Sequence, residues 1–260
     1  ESPLLSPVHG VREAEDLPAL QACTRAQAAC PCWASWDPNL ALAGRAVKRL
    51  EKRGELAPLT REEAFAVHVY TQDSWFYQEV NRRLRLRERQ SLKPFFPYLK
   101  LFLTGLHRLE PVDDTVFRGV KLNLAAKYGV DDEIVWWAFS SATATAAVLS
   151  SDEFLGETGP RTLFSIKVRR CVNILRYSAM GGEDERLILP GTAFHVKSHL
   201  PLGADLIMIQ LEVCVCVCVC VWCMCVKHTV CARACACVCV RVRARARALY
   251  DACLCVNRKT

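Results

Sequence analysis

Cysteine is scarce over the first 213 residues of this 260-residue sequence: only Cys23, Cys30, Cys32 and Cys171 lie there, and 12 of the 16 cysteines follow. No C-x2-C is followed by a second pair at a set distance, so a structural zinc site has no support and no metal is expected. Cys30-Pro31-Cys32 stands without a partner pair and reads as incidental. Net charge is missing from the same region, which holds 26 Lys+Arg against 26 Asp+Glu; the formal +7 belongs to the last 47 residues, with 8 against 1. A neutral body of this length can bury a sizeable core, and nucleic acid is not expected as a partner. G-x-G-x-x-G does not occur, so a Rossmann reading has no support. The sequence opens on Glu1 rather than methionine, which leaves a secreted and a cytoplasmic protein both open.

The segment after Val213 is of a different kind. Cys214 to Val221 alternates cysteine with valine, and from Cys231 to Ala248 every odd position is Cys or Arg and every even one Ala or Val. A DNA tract alternating pyrimidine with guanine encodes only Cys or Arg (TGY, CGY) alternating with Val or Ala (GTG, GCG). Residues 214–260 therefore read as a translated dinucleotide repeat, dispensable for folding. Its short apolar runs, interrupted later by arginines, do not make a membrane span.

Before that boundary the sequence divides in two. Residues 1–39, rich in Pro, Ala and Cys, read as a loose lead-in. From Leu40 helical spacing sets in: Leu42, Ala46, Val47 and Leu50 recur up to Gly54. Thr60-Arg61-Glu62-Glu63 is a capping-box pattern opening a helix through Tyr70. Further helices are expected over Trp75–Arg87 and, after Pro94 and Pro97, over Tyr98–Leu109. The run Arg82 to Arg87 could touch a phosphate but reads as a mostly solvated helix face with Leu84 and Leu86 partly buried, and His68 reads as a packing histidine.

After Pro111 the period switches to that of strands, over Thr115–Val120, Glu133–Phe139, Thr162–Val168, Arg186–Leu189, Ala193–Lys197 and Leu206–Val213. Helices first and strands after predict an α+β fold. Three polar sites accompany the strands: Arg118, Ser141-x-Thr143, and Glu183-x-Glu185. In the last, period-2 geometry sends the two glutamates to one face and Asp184 to the other.

This order of sites resembles the R-S-E signature of the arginine-specific mono-ADP-ribosyltransferase family. Val116-Phe117-Arg118-Gly119-Val120 is similar to the strand carrying the family's first arginine, and Phe139-Ser140-Ser141-Ala142-Thr143 to its F-x-S-x-S/T element. Glu183-Asp184-Glu185-Arg186-Leu187-Ile188-Leu189-Pro190-Gly191-Thr192-Ala193-Phe194-His195-Val196 resembles its E-x-E, leucine-rich strand, Pro-Gly-Thr and F-x-V. Upstream, Tyr70-Thr71-Gln72-Asp73 and Asn81-Arg82-Arg83-Leu84-Arg85 resemble its helical lobe. The likeness spans Leu40 to Val213, which is read as the catalytic domain, residues 40–213.

The resemblance implies an N-terminal helical lobe followed by a two-sheet β core, with Arg118, Ser141 and Glu185 converging on one cleft and the helices forming a wall. It implies NAD as substrate, no metal, an arginine-bearing protein as acceptor, and a monomer. Arg118 would give a fixed cation to a phosphate or to the nicotinamide-side ribose. Ser141 would hydrogen-bond the NAD or hold Glu185 in register, and Thr143 would brace the adjoining backbone. Glu185 would grip the ribose 2′-hydroxyl and stabilise the oxocarbenium-like centre, while Glu183 orients the acceptor guanidinium and draws off its proton. Ser140 beside Ser141 leaves a one-residue shift open, and Phe154 is either a nicotinamide-stacking ring or a core residue. NAD hydrolysis and a catalytically silent binding domain stand as alternatives to transfer.

Overall fold

A computed structural model describes residues 7–30, 36–86, 88–145, 155–156, 158–180, 184–203 and 205–214. Glu183, Phe154, Cys32 and the repeat after Cys214 lie outside the described residues. The chain forms two units, one of helices (Val8–Pro111 with Val172–Glu183) and one of strands (Val112–Cys171 with the chain from Asp184).

The helical unit contains α1 (Ala19–Ala28), α2 (Asp37–Lys52), α3 (Arg61–Tyr70), α4 (Trp75–Arg85) and α5 (Phe96–Arg108), the last entered through a 3-10 turn over Gln90–Phe95. The expected capping box is formed. Thr60 Oγ1 accepts from the Glu63 amide at 3.3 Å and Glu63 Oε2 accepts from the Thr60 amide at 2.8 Å, which satisfies two orphan donors of the first turn. One expectation needs correction. The lead-in is not loose throughout, because Ala19, Ala22, Cys23 and Ala26 make a small-residue stripe at helical spacing and α1 buries it.

The basic run is not all solvated. Arg83 is buried, its Nε 2.6 Å from Glu79 one turn earlier and its guanidinium 4.7 Å from the centre of the Phe95 ring. Arg82 caps the same carboxylate at 2.7 Å, and its hydrogen bond is the main cause holding Glu79 below the usual carboxylate range, against burial. One buried acid thus neutralises two members of the run. Around it an aromatic core closes, with Trp36 on Phe76 at 4.1 Å, Phe76 edge-on to Tyr98 at 4.6 Å and Tyr70 on Phe102 at 4.7 Å.

His68 packs inside this unit as read from the sequence. Its Nδ1 donates to the Tyr177 carbonyl at 3.1 Å, while Nε2 is buried with no hydrogen-bond partner among the described residues. Tyr177 belongs to the segment that follows the fourth strand. The same segment is tied down by the Ala179 amide on Thr71 Oγ1 at 2.8 Å and by the Tyr177 hydroxyl on the Leu56 carbonyl at 3.0 Å.

The strand unit holds β1 (Pro111–Val120), β2 (Glu133–Trp136), β3 (Ser140–Thr143), β4 (Arg161–Asn173), β5 (Glu185–Ile188), β6 (Thr192–Gly203) and β7 (Leu206–Val213). Their order is β1-β3-β5-β4-β7-β6-β2. Where two sheets were expected there is one seven-stranded sheet, because β4 joins β1-β3-β5 to β7-β6-β2 and pairs with β1 as well. β4 is long enough to serve both groups. Residues 161–167 run parallel to β7, and beyond them Arg170 adopts a left-handed φ of 65° and donates its amide to Asp113 of β1 at 2.9 Å. The strand expected over Glu133–Phe139 ends at Trp136, and Ser140–Thr143 is a strand of its own after a break at 137–139.

Alternation sorts the strand residues. Val116, Ala142, Phe164, Ile166, Val168, Ile188, Phe194, Val196, Ile209 and Leu211 form a single buried cluster. The β5-to-β6 reversal rests on Pro190-Gly191: Gly191 takes φ 81°, open to glycine without a Cβ penalty, and Thr192 Oγ1 donates to the Leu189 carbonyl at 2.6 Å.

Candidate functional site

β3 and β5 are antiparallel, with Ser141 opposite Leu187 and Thr143 opposite Glu185. Since side chains alternate and directly opposed residues share a face, Ser141, Thr143, Glu185 and Leu187 stand on one side, and Ser140, Ala142, Arg186 and Ile188 on the other. Ser141 is therefore the diagonal neighbour of Glu185, and its hydroxyl donates to Glu185 Oε1 at 2.7 Å. Ser140, one residue earlier, lies opposite Ile188 and so on the other face.

Glu185 is only 8% exposed. A carboxylate there accepts hydrogen bonds and cannot donate, so the serine hydroxyl gives it a short, charge-assisted bond that fixes its rotamer. Arg118 joins from β1, whose Phe117 pairs with Thr143. Its Nη1 donates to the Ser141 carbonyl at 2.6 Å, with the side chain half-buried. One residue, Ser141, thus meets the arginine through its backbone and the glutamate through its side chain. Thr143 is buried, and its Oγ1 accepts the Thr145 amide at 3.1 Å, which ties the backbone leaving β3.

The ladder continues one step past β5: the Ala144 amide donates to the Asp184 carbonyl at 3.3 Å. Asp184 is thereby held in strand-like register, its carboxylate forked by Arg186 two residues on. Sequence reasoning sent Asp184 away from the glutamates but did not identify Arg186 as its partner. The available signal was opposite charges at i, i+2 in a strand. Glu183 and Phe154, both singled out by the sequence, lie outside the described residues. Among the described residues no three His, Cys, Asp or Glu side chains gather as metal ligands, and no helix is long and apolar enough to cross a membrane.

Chemically, Ser141 and Glu185 set a hydroxyl and a largely buried carboxylate on one face, and Arg118, the residue after the Phe117 that faces Thr143, adds a fixed cation that meets Ser141 through its backbone carbonyl. Such a set suits a ligand with a negatively charged part and a centre that becomes positive as it reacts.

Residues 33–213 match the model of a family described as NAD:arginine ADP-ribosyltransferase. No curated protein matches the chain. Among solved structures, the type III effector XopAI from Xanthomonas axonopodis pv. citri superposes with a TM-score of 0.57 at 18% identity, covering 79% of this chain and 86% of that one. A mutant of the eucaryotic mono-ADP-ribosyltransferase ART2.2, in complex with NADH, gives 0.52 at 21% identity, over 80% of this chain and 90% of that one. The ADP-ribosyltransferase Vis of Vibrio splendidus, in complex with agmatine, gives 0.50 at 23% identity, over 70% and 87%. At these identities the likeness is one of fold.

Proposed function

Because the chain belongs to the NAD:arginine ADP-ribosyltransferase family, we propose that it transfers ADP-ribose from NAD to the guanidinium of an arginine in a protein acceptor, with release of nicotinamide. The observation that carries this reading is the contact chain Arg118–Ser141–Glu185. NAD fits the donor set on chemical grounds. Arg118 supplies a planar cation for its phosphates, and Glu185 supplies a preorganised negative charge for a ribose carbon that turns cationic.

In the proposed reaction the bond between ribose C1′ and nicotinamide breaks and its electron pair leaves with neutral nicotinamide. Glu185 stabilises the positive charge left on the ribose and accepts a hydrogen bond from the 2′-hydroxyl. Ser141 keeps that carboxylate in one rotamer. A guanidinium nitrogen of the acceptor then adds to C1′ and gives up a proton, for which Glu183, two residues before Glu185, is the assigned base. A guanidinium with a pKa above about 12 is a poor nucleophile, so this second carboxylate is what separates transfer from hydrolysis.

The agmatine and NADH named with Vis and ART2.2 are the ligand types this reading requires, an arginine-like amine and a nicotinamide dinucleotide. The test is to incubate the full chain with NAD and agmatine and separate the products by mass. ADP-ribosyl-agmatine together with nicotinamide is expected. Free ADP-ribose with no agmatine adduct would make the chain an NAD hydrolase, and neither product would make it a silent member of the family.

A further inference from the structure

The core face of β1-β3-β5, opposite the one that carries Ser141 and Glu185, contains a buried charge. Arg186 follows Glu185 directly, lies across the ladder from Ala142, and is 9% exposed, two residues before the buried Ile188. Its Nη1 and Nη2 fork the Asp184 carboxylate, the second at 3.1 Å from Oδ2. Its Nε has no hydrogen-bond partner among the described residues but lies 3.7 Å from Asp114 Oδ2. Asp114 belongs to β1, four residues before Arg118.

The geometry follows from strand order. β1 and β5 flank β3, so they stand about 10 Å apart, and the long Arg186 side chain spans that gap to reach Asp114. A buried arginine with one partner beside it in sequence and one on β1 joins the strand that carries Glu185 to the strand that carries Arg118. Breaking such a buried set leaves uncompensated charge, so its geometry is stiff.

We infer that Arg186 is a positioning residue for NAD cleavage: a strap behind Ser141 and Glu185 that fixes Glu185 against Ser141 and keeps the Asp184 carboxylate off the reacting face. The inference rests on the reading of Glu185 proposed above. Arg186 touches no substrate, so its loss acts on the rate of the chemical step and not on NAD binding.

The test measures kcat and KM for NAD, with agmatine as acceptor, in the full chain and in Arg186→Met, Arg186→Lys and Asp114→Asn, each checked for a cooperative thermal transition. Arg186→Met is expected to lower kcat about tenfold or more with KM for NAD within about twofold, a loss confined to the transition state. Arg186→Lys keeps the charge without the fork and should fall between Met and the unaltered chain. Asp114→Asn should lower kcat in the same direction by less. If Arg186→Met fails to fold, Asp114→Asn decides alone, since it leaves the Arg186–Asp184 fork in place. Unchanged kcat in the folded variants, or a loss appearing in KM alone, overturns the strap. Absence of nicotinamide release from the unaltered chain would instead remove the reading of Glu185 on which it rests.

Discussion

Glu185 and Glu183 sit two positions apart, and the account gives them different work. Glu183→Gln should abolish adduct formation with agmatine while leaving slow release of free ADP-ribose, because water needs no carboxylate to orient it as a guanidinium does. Loss of both products in this variant would merge the two roles. Ser141→Ala should cut nicotinamide release about tenfold with KM for NAD little changed, since the hydroxyl acts by holding Glu185 at 2.7 Å. The positions of Arg118, Ser141 and Glu185 were legible in the sequence because they are polar residues embedded in β-prone runs, where period 2 sorts faces within each strand. The Arg186–Asp184–Asp114 bridge was not. It depends on β3 lying between β1 and β5, and strand order is not a local property of the chain.

Elements show the same division between local and tertiary signals. The capping box of α3 was readable because its residues are three apart, and Thr60→Ala should destabilise the chain by about 1 kcal/mol in urea denaturation. Helix α1 escaped because its buried stripe is alanine and cysteine, residues that carry little hydrophobic contrast. Arg83 escaped because its burial depends on Glu79 and Phe95 arriving together. His68 on α3 gives this level a pH test. Burial is the main cause lowering its pKa from 6.5, assisted by Arg49 and opposed by the hydrogen bond to the Tyr177 carbonyl. The unfolded chain therefore takes up the proton first as pH falls through about 6.5, and stability drops from there until the folded group titrates. Melting temperature should thus fall more steeply from pH ~7.5 to ~5 in the unaltered chain than in His68→Gln. Parallel curves would show that this histidine is not the group responsible.

For the whole molecule, the sequence divides at the end of β7, where Phe194 pairs with Val213 and the Cys214 amide donates to the Ala193 carbonyl at 2.9 Å. Ending the chain after Cys214 keeps that bond and should retain cooperative melting and NAD cleavage, with a higher soluble yield once the thiol-rich repeat is gone. Ending it before Leu206 removes the strand that joins β4 to β6 and should abolish folding. Loss of folding on the first truncation would mean that the repeat is part of the domain. The central claim is that three strands bring a serine-held glutamate and an arginine together to break the bond between nicotinamide and ribose. Its most direct test is the rate of nicotinamide release from NAD by the unaltered chain and by Glu185→Gln, with and without agmatine, at matched folded fraction. The account predicts release by the unaltered chain and a loss of at least about a hundredfold in the variant under both conditions. Release at the same rate by Glu185→Gln would contradict it.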